Sequence, residues 1–335
     1  MADTAPFDTR PLDQRRIVTT TEIPFSSLAA DAVRVTEAAA VAAFAQIGRG
    51  DEMQADQLAV DAMRTQLNRL EIDGLIVIGE GERDEAPMLY IGEAVGTGRG
   101  PAIDIALDPL EGTTLTAKAM PGALCVLSMS AGGGMLHAPD TYMDKIAIGP
   151  GYAPGTVDLD MSPAENVRSL ASAKGVDPRD ITVCVMDRPR HSELIAALRE
   201  VGAKVMLIGD GDVAGVIHTT DPETGIDLYL GSGGAPEGVL AASALKCVGG
   251  HFQGRLLFRN DDERARAHRI GITDLNRKYD LHEIVSTDAV FAATGVTGGA
   301  LLDGVRIERG LVSTHTVVMD SSTHTVRRIR TTRPL

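Results

Sequence analysis

A chain of 335 residues with 44% hydrophobic and 23% charged residues has ample length to bury one large core or two compact ones. Its formal net charge of −14, with no Lys/Arg cluster beyond Arg327-Arg328-Ile329-Arg330, excludes a nucleic-acid binder, which needs a basic footprint. No stretch approaches the roughly 18 apolar residues of a membrane span.

Residues 1–24 read as a loose N-terminal arm without an apolar signal core. A helix capped at Ser26 or Ser27 is predicted to reach Ile47 and stop at Gly48. A second helix over 54–70 sets Leu58, Ala59, Ala62, Met63, Leu67 and Leu70 on one stripe. The apolar runs 75–78 and 102–107 read as buried strands that stop at acidic loops. The second is expected to end sharply at Pro109. Strands also fit 124–129 and 145–148, after which the Gly/Pro-rich run 149–155 separates two halves. Beyond it, helix 163–174, strand 181–186, helix 190–201, strand 204–208, a short helix 212–218, strand 227–230 and helix 236–247 alternate in α/β fashion. From Val305 onward, β-branched and polar residues alternate, which predicts antiparallel strands. The chain thus divides into an arm (1–24), an N-terminal α/β half (25–150) and a C-terminal α/β half (151–335). Cys125, Cys184 and Cys247 are odd in number and set in apolar runs, so they read as buried hydrophobes of a reduced, cytoplasmic protein.

Carboxylates gather where these elements end. Asp56 lies in the first turn of the second predicted helix. Glu80, Glu82, Asp84 and Glu85 crowd the loop after strand 75–78. Asp104 and Asp108 lie on or after the next strand, with Glu111 three residues on, and Glu237 begins a helix after Gly231-Ser232-Gly233-Gly234. Such groups repel one another unless neutralised. Mg2+ or Mn2+ prefers oxygen ligands, keeps water and phosphate in its shell, and can activate and orient that water. Gly112 lets the backbone approach a ligand, and Thr113 suits both a helix cap and a hydroxyl aimed at a metal-bound water. Arg188-Pro189-Arg190-His191 follows a strand and leads into a helix, so guanidinium groups and free N–H groups together offer a seat for a phosphate that is not cleaved. Asp210 and Asp212 suit hydrogen bonds to sugar hydroxyls. There is no CxxC spacing for zinc and no GxSxG for a serine hydrolase. A glycine turn at 209–215 is weak as a dinucleotide site, since its two Asp residues would face a pyrophosphate.

The run Asp108-Pro109-Leu110-Glu111-Gly112-Thr113 resembles the inositol-monophosphatase-like phosphatases. With the blocks at 48–51, 78–82, 84–93, 138–143, 187–191, 210–212, 233–238 and 293–297, residues 28–330 are most similar to class II fructose-1,6-bisphosphatases. That group includes enzymes that also act on sedoheptulose-1,7-bisphosphate. The resemblance implies a layered α/β/α/β/α sandwich forming one catalytic unit, with the site between the halves and most metal ligands in the N-terminal one. It implies metal-dependent hydrolysis of the C1 phosphate of fructose-1,6-bisphosphate by in-line attack of a metal-activated water, in gluconeogenesis or Calvin-type metabolism. Sedoheptulose-1,7-bisphosphate or an inositol monophosphate are the alternative substrates. The Arg188–His191 loop favours a bisphosphate, because a monophosphate would leave two guanidinium groups without a partner. Carried over by position, Asp56 and Glu80 would hold one Mn2+ or Mg2+ and Asp108, Glu111 and Glu237 another, while Thr113, Asp84 and Glu80 would be catalytic. Substrate would meet Glu111, Gly112, Thr113, Tyr142, Arg188, Pro189, Arg190, Asp210, Gly211, Asp212 and Gly234. A homo-oligomer, dimer or tetramer, is expected. Glu52 departs from the pattern, standing where a Lys would follow Gly-Asp.

Overall fold

The computed structural model describes residues 25–81 and 88–335, so the expected arm over 1–24 and the acids Glu82, Asp84 and Glu85 lie outside the described residues. In chain order these form α1 (Phe25–Phe44), α2 (Glu52–Leu67), β1 (Asp73–Ile78), β2 (Ala94–Val95), β3 (Ala102–Glu111), α3 (Thr113–Ala117), β4 (Leu124–Ala131) and β5 (Tyr142–Ile148). There follow α4 (Pro163–Lys174), β6 (Thr182–Met186), α5 (Ser192–Glu200), β7 (Lys204–Ile208), α6 (Asp212–Ile217), β8 (Leu228–Gly234) and α7 (Ala235–Val248). The chain continues through β9 (His251–Leu257), α8 (Asp261–Arg269), β10 (Lys278–Asp280), α9 (Leu281–Ile284), β11 (Ala289–Gly295), β12 (Arg306–Glu308), β13 (Leu311–Asp320) and β14 (Thr325–Pro334).

Local signals explain several boundaries. Ser162 and Glu165 form a reciprocal capping box at the start of α4, Pro163 occupies its first turn, and Gly175 ends it in the left-handed conformation. That helix spans the predicted 163–174. α2 starts two residues before the predicted 54, because the Asp51 side chain accepts a hydrogen bond from Gln54 N at 2.9 Å and so caps it. β3 does not stop at Pro109. It runs on to Glu111, and a register irregularity between Asp108 and Glu111 absorbs the residue that has no N–H to donate. β8 likewise extends past the predicted 230 to Gly234, since Tyr142 and Met143 of β5 pair with Gly234 and Gly233.

An eight-stranded sheet has the order β12-β13-β11-β4-β3-β1-β2, with β14 alongside β13, and a six-stranded sheet has the order β10-β9-β5-β8-β6-β7. The chain leaves the first sheet after β4, builds the second, and returns with β11 to β14. Side-chain alternation assigns the faces. On β3, Ile103, Ile105 and Leu107 pack with the α1 and α2 residues Val35, Ala39, Ala59 and Met63. Ala106 points the other way, into a core shared with Val239, Leu240 and Ala242 of α7. On the second sheet, Ile146, Val183, Val185 and Leu228 pack with Val167 and Leu170 of α4 and Leu198 of α5. Cys184 and Tyr229 of that sheet join the central core. The layers are therefore α1/α2, first sheet, α6/α7/α9, second sheet, α4/α5: an α/β/α/β/α sandwich.

α7 is the central layer and touches strands of both sheets. A helix apolar all round belongs in such a place, and its run Ala241-Ala242-Ser243-Ala244 is small enough to admit a sheet on either side. The Ser243 hydroxyl is satisfied by the Ser128 hydroxyl of β4. Phe291 of β11 is fully buried in this central core. Phe291→Ala is predicted to cost about 3–5 kcal/mol through the cavity it leaves, read as a lower urea midpoint. An unchanged midpoint would contradict the packing described.

Candidate metal and phosphate site

Four elements bring carboxylates to the seam between the sheets. Asp56 comes from α2, in its second turn once the Asp51 cap is counted. Glu80 follows the end of β1, Asp108 and Glu111 close β3, and Glu237 sits in the first turn of α7. Carboxylate oxygens of Asp108, Glu111 and Glu237 lie within 4.8 Å of one another. Leu110 N donates to Asp108 at 3.0 Å, holding the β3 end in its bulged shape. Asp56 and Glu80 share a hydrogen bond, and the charge of Asp108 acts on both. Asp104, on the same face of β3, stands apart. It accepts hydrogen bonds from Gly133 N at 2.9 Å and Met135 N at 3.3 Å, and so ties down the loop after β4.

Burial and mutual repulsion raise these groups. Burial, then the charges of Asp56 and Asp108, push Glu80 up to about 9. Burial and then Asp108 lift Asp56 to about 6. Burial and then Asp212 lift Glu237 to about 7, against the pull of Lys145. Asp108 and Glu111 are also raised, burial leading in each. Glu237 Oε2 is buried with no hydrogen-bond partner. A set of oxygen donors, one of them without a partner, fits a hard divalent cation better than zinc's usual nitrogen and sulfur ligands.

Glycines shape the approach. Gly112 adopts φ 91 as the cap of α3, so Thr113 takes the first helical position and is not itself the cap. A Cβ at 234 would overlap Glu237 Oε2, and one at 233 would overlap Asp212 Oδ2. Asp212 opens α6 behind Gly211, which has φ 85. It pairs with the fully buried Lys145 of β5, Nζ to Oδ2 at 2.5 Å.

The facing wall is built from the loops after β6 and β7. Pro189–His191 form a 3-10 turn, and α5 begins only at Ser192. His191 is buried, with Nδ1 2.8 Å from Met186 O and Nε2 accepting from Ser232 N at 2.9 Å. Arg190 donates to Ser232 O at 2.8 Å and lies over the Tyr142 ring, 4.9 Å from its centroid. Arg188 donates to Gly209 O at 2.5 Å and stands 3.6 Å from Asp210. Both guanidinium groups therefore have partners without a ligand, contrary to the expectation that a monophosphate would strand them. The charges of Asp210 and Asp212 reach Asp108, which joins this wall to the acid cluster. Lys145, Ser232 and Arg259, whose guanidinium lies 5.0 Å from the Tyr142 centroid, escaped the sequence reading. Lys145 had one available signal, a lone charge in the apolar run before Ile146-Ala147-Ile148.

A family model described as bacterial fructose-1,6-bisphosphatase, glpX-encoded, matches residues 26–333. The chain belongs to this family. It is 45% identical over 317 residues to fructose-1,6-bisphosphatase 1 class 2 of Escherichia coli strain K12, covering 90% of this chain and 94% of that protein. The class 2 enzyme of Shigella flexneri matches to the same extent. A solved structure of the extragenic suppressor protein suhB from Bartonella henselae shares 14% identity over 58% of this chain and 75% of its own, with a TM-score of 0.34. No helix of the described residues is long and apolar enough to cross a membrane.

Two predictions follow from the raised acids and the close glycine. The folded value of Glu80, about 9, lies above its ordinary 4.5. Between those values the folded chain binds more protons than the unfolded one, so stability of the metal-free protein falls as pH rises. Thermal melts in chelator should show a lower midpoint at pH 8.5 than at pH 6, with Mn2+ closing the gap; a flat profile would contradict the assignment. Gly234→Ala must displace Glu237, and should weaken Mn2+ binding at least about tenfold, the scale of a lost metal-site support. Unaltered calorimetric affinity would count against that geometry.

Proposed function

We propose that this chain, with Mn2+ or Mg2+, hydrolyses the C1 phosphate of fructose-1,6-bisphosphate to fructose-6-phosphate and phosphate. The observation that carries the reading is the meeting of two chemistries: three carboxylates within 4.8 Å on one side, and the Arg188–Arg190 turn on the other. Asp56 and Glu80 would hold one cation, and Asp108, Glu111 and Glu237 another. When bound, such ions supply Lewis-acid activation of water and neutralise charge at the phosphoryl oxygens.

The chain's own residues do the rest. Thr113 offers its hydroxyl at the first position of α3, next to the acids, to orient the attacking water by hydrogen bonding. Glu80, ionised once it holds a cation, would accept a hydrogen bond from that water. Asp84 is assigned a catalytic carboxylate role by the family resemblance. Arg190, steadied by Ser232 and Tyr142, and Arg188, steadied by Gly209, bind the phosphate that is retained. Pro189 fixes the turn between them. Asp210 and Asp212 accept from sugar hydroxyls, and Gly112, Gly211 and Gly234 keep the floor free of side chains. Cys125, Cys184 and Cys247 are free and buried, which suits a reducing cytoplasm.

Phosphate release from fructose-1,6-bisphosphate in Mn2+, measured with sedoheptulose-1,7-bisphosphate in parallel, tests the reading. Thr113→Ala should lower kcat by about 10^2, the usual cost of misplacing a reacting group. Arg190→Ala should raise KM about tenfold or more, as a charge-assisted hydrogen bond worth about 1.5–3 kcal/mol is lost, with kcat nearly kept. Absence of metal-dependent release from either bisphosphate would refute the proposal.

A further inference from the structure

Tyr229 and Lys145 are the largest fully buried side chains among the described residues. The strand register brings them together. Tyr229 of β8 stands opposite Ala147 of β5, and Lys145 stands opposite Gly231, so the two are diagonal neighbours on one face of the second sheet. Lys145 reaches α6 and holds Asp212, Nζ to Oδ2 at 2.5 Å. Tyr229 reaches the same helix. Its ring lies against Gly215, where a Cβ would come within 3.2 Å of two ring carbons. Gly215 follows Asp212 by three residues, which puts both on one face of α6. The ring therefore packs along the helix face that carries Asp212.

The Tyr229 hydroxyl is buried and, among the described residues, has no hydrogen-bond partner. A buried phenol nearly always finds one. Burial, and then the charge of Asp212, raise this group well above the usual phenol range, so it remains a donor at any working pH. Among the charges that act on it, that of Asp212 is the largest, while those of Glu111 and Arg190 are weaker and opposite in sense. Cys184, which pairs with Tyr229 between β6 and β8, feels the same Asp212 charge. No step of the proposed hydrolysis uses this hydroxyl.

We propose that Tyr229 is a positioning residue for the sugar end of the substrate, its hydroxyl donating through one buried water to the Asp212 carboxylate. This role rests on the reading of Asp212 as the acceptor of a sugar hydroxyl. Lys145 alone fixes one oxygen of that carboxylate and leaves it free to turn about the Nζ–Oδ2 contact. A second donor stops the turn and presents the remaining lone pairs in one direction. With no protein partner in hydrogen-bond reach, the hydroxyl needs a water to span the gap, and a bridging water holds nearly as well as a direct bond.

Phosphate release from fructose-1,6-bisphosphate by the full chain in Mn2+ tests this with Tyr229→Phe, which keeps the ring against Gly215 and removes only the oxygen. The variant should raise KM about three- to tenfold, the worth of one net hydrogen bond, with kcat nearly kept. Inhibition by inorganic phosphate, which has no sugar hydroxyl to offer Asp212, should match wild type. Phosphate inhibition weakened by the same factor as KM would mark a general loosening of the site and overturn the proposal. If wild type releases no phosphate, the function itself falls and this role with it. If wild type does release it, an unchanged KM in Tyr229→Phe overturns this role alone.

Discussion

The crowding of carboxylates partly withdrawn from water is the constraint on which the rest of this structure depends. Glu111 is buried and Asp56, Glu80, Asp108 and Glu237 are half-buried, and loss of water first, then the charges of Asp56, Asp108 and Glu237, raise proton affinity within the group. No local segment could hold such groups at close quarters. They arrive on separate elements, α2, the β1 end, β3 and α7, each anchored by apolar packing on the side away from the site. The unfavourable electrostatics are thus offset by cores elsewhere, and the site is left with oxygen donors suited to a metal ion.

Other features answer to that constraint. Lys145, fully buried, balances Asp212 and moderates Glu237. Gly233 and Gly234 leave room where the Asp212 and Glu237 carboxylates press against the backbone of β8. The guanidinium groups of Arg188 and Arg190 are kept on a turn across the site, bonded to the Gly209 and Ser232 carbonyls, with Arg188 also 3.6 Å from Asp210, so neither is drawn onto the acid cluster. α7 ties these parts together. As the middle layer it contacts both sheets, and its first turn places Glu237 where the sheet ends converge.

Much of this was legible in the sequence, for identifiable reasons. The Asp108–Thr113 run announced itself because an apolar strand, a proline, two acids and a glycine stood in unbroken order. α4 was readable to the residue because Ser162, Pro163, Glu165 and Gly175 are local capping signals. What failed was set by partners distant in the chain. Pro109 looked like a strand end, yet pairing with β4 carries β3 past it. Gly231–Gly234 looked like a loop, yet β5 pairs with it. The stretch 249–304, with no predicted element, supplies β9, α8, β10, α9 and β11, and the return of β11 to β14 to the first sheet leaves no local trace. Lys145 could be seen as a lone charge in an apolar strand, but its partner Asp212 lies 67 residues away.

The central claim is that burial and repulsion keep part of the acid cluster protonated until a divalent cation binds. Calorimetric titration of Mn2+ into the metal-free chain at pH 7.5, repeated in buffers of different ionisation enthalpy, measures it directly. With Glu80 raised to about 9, binding should release about one proton per chain or more. Binding enthalpies that are the same in every buffer, signifying no proton release, would contradict the account.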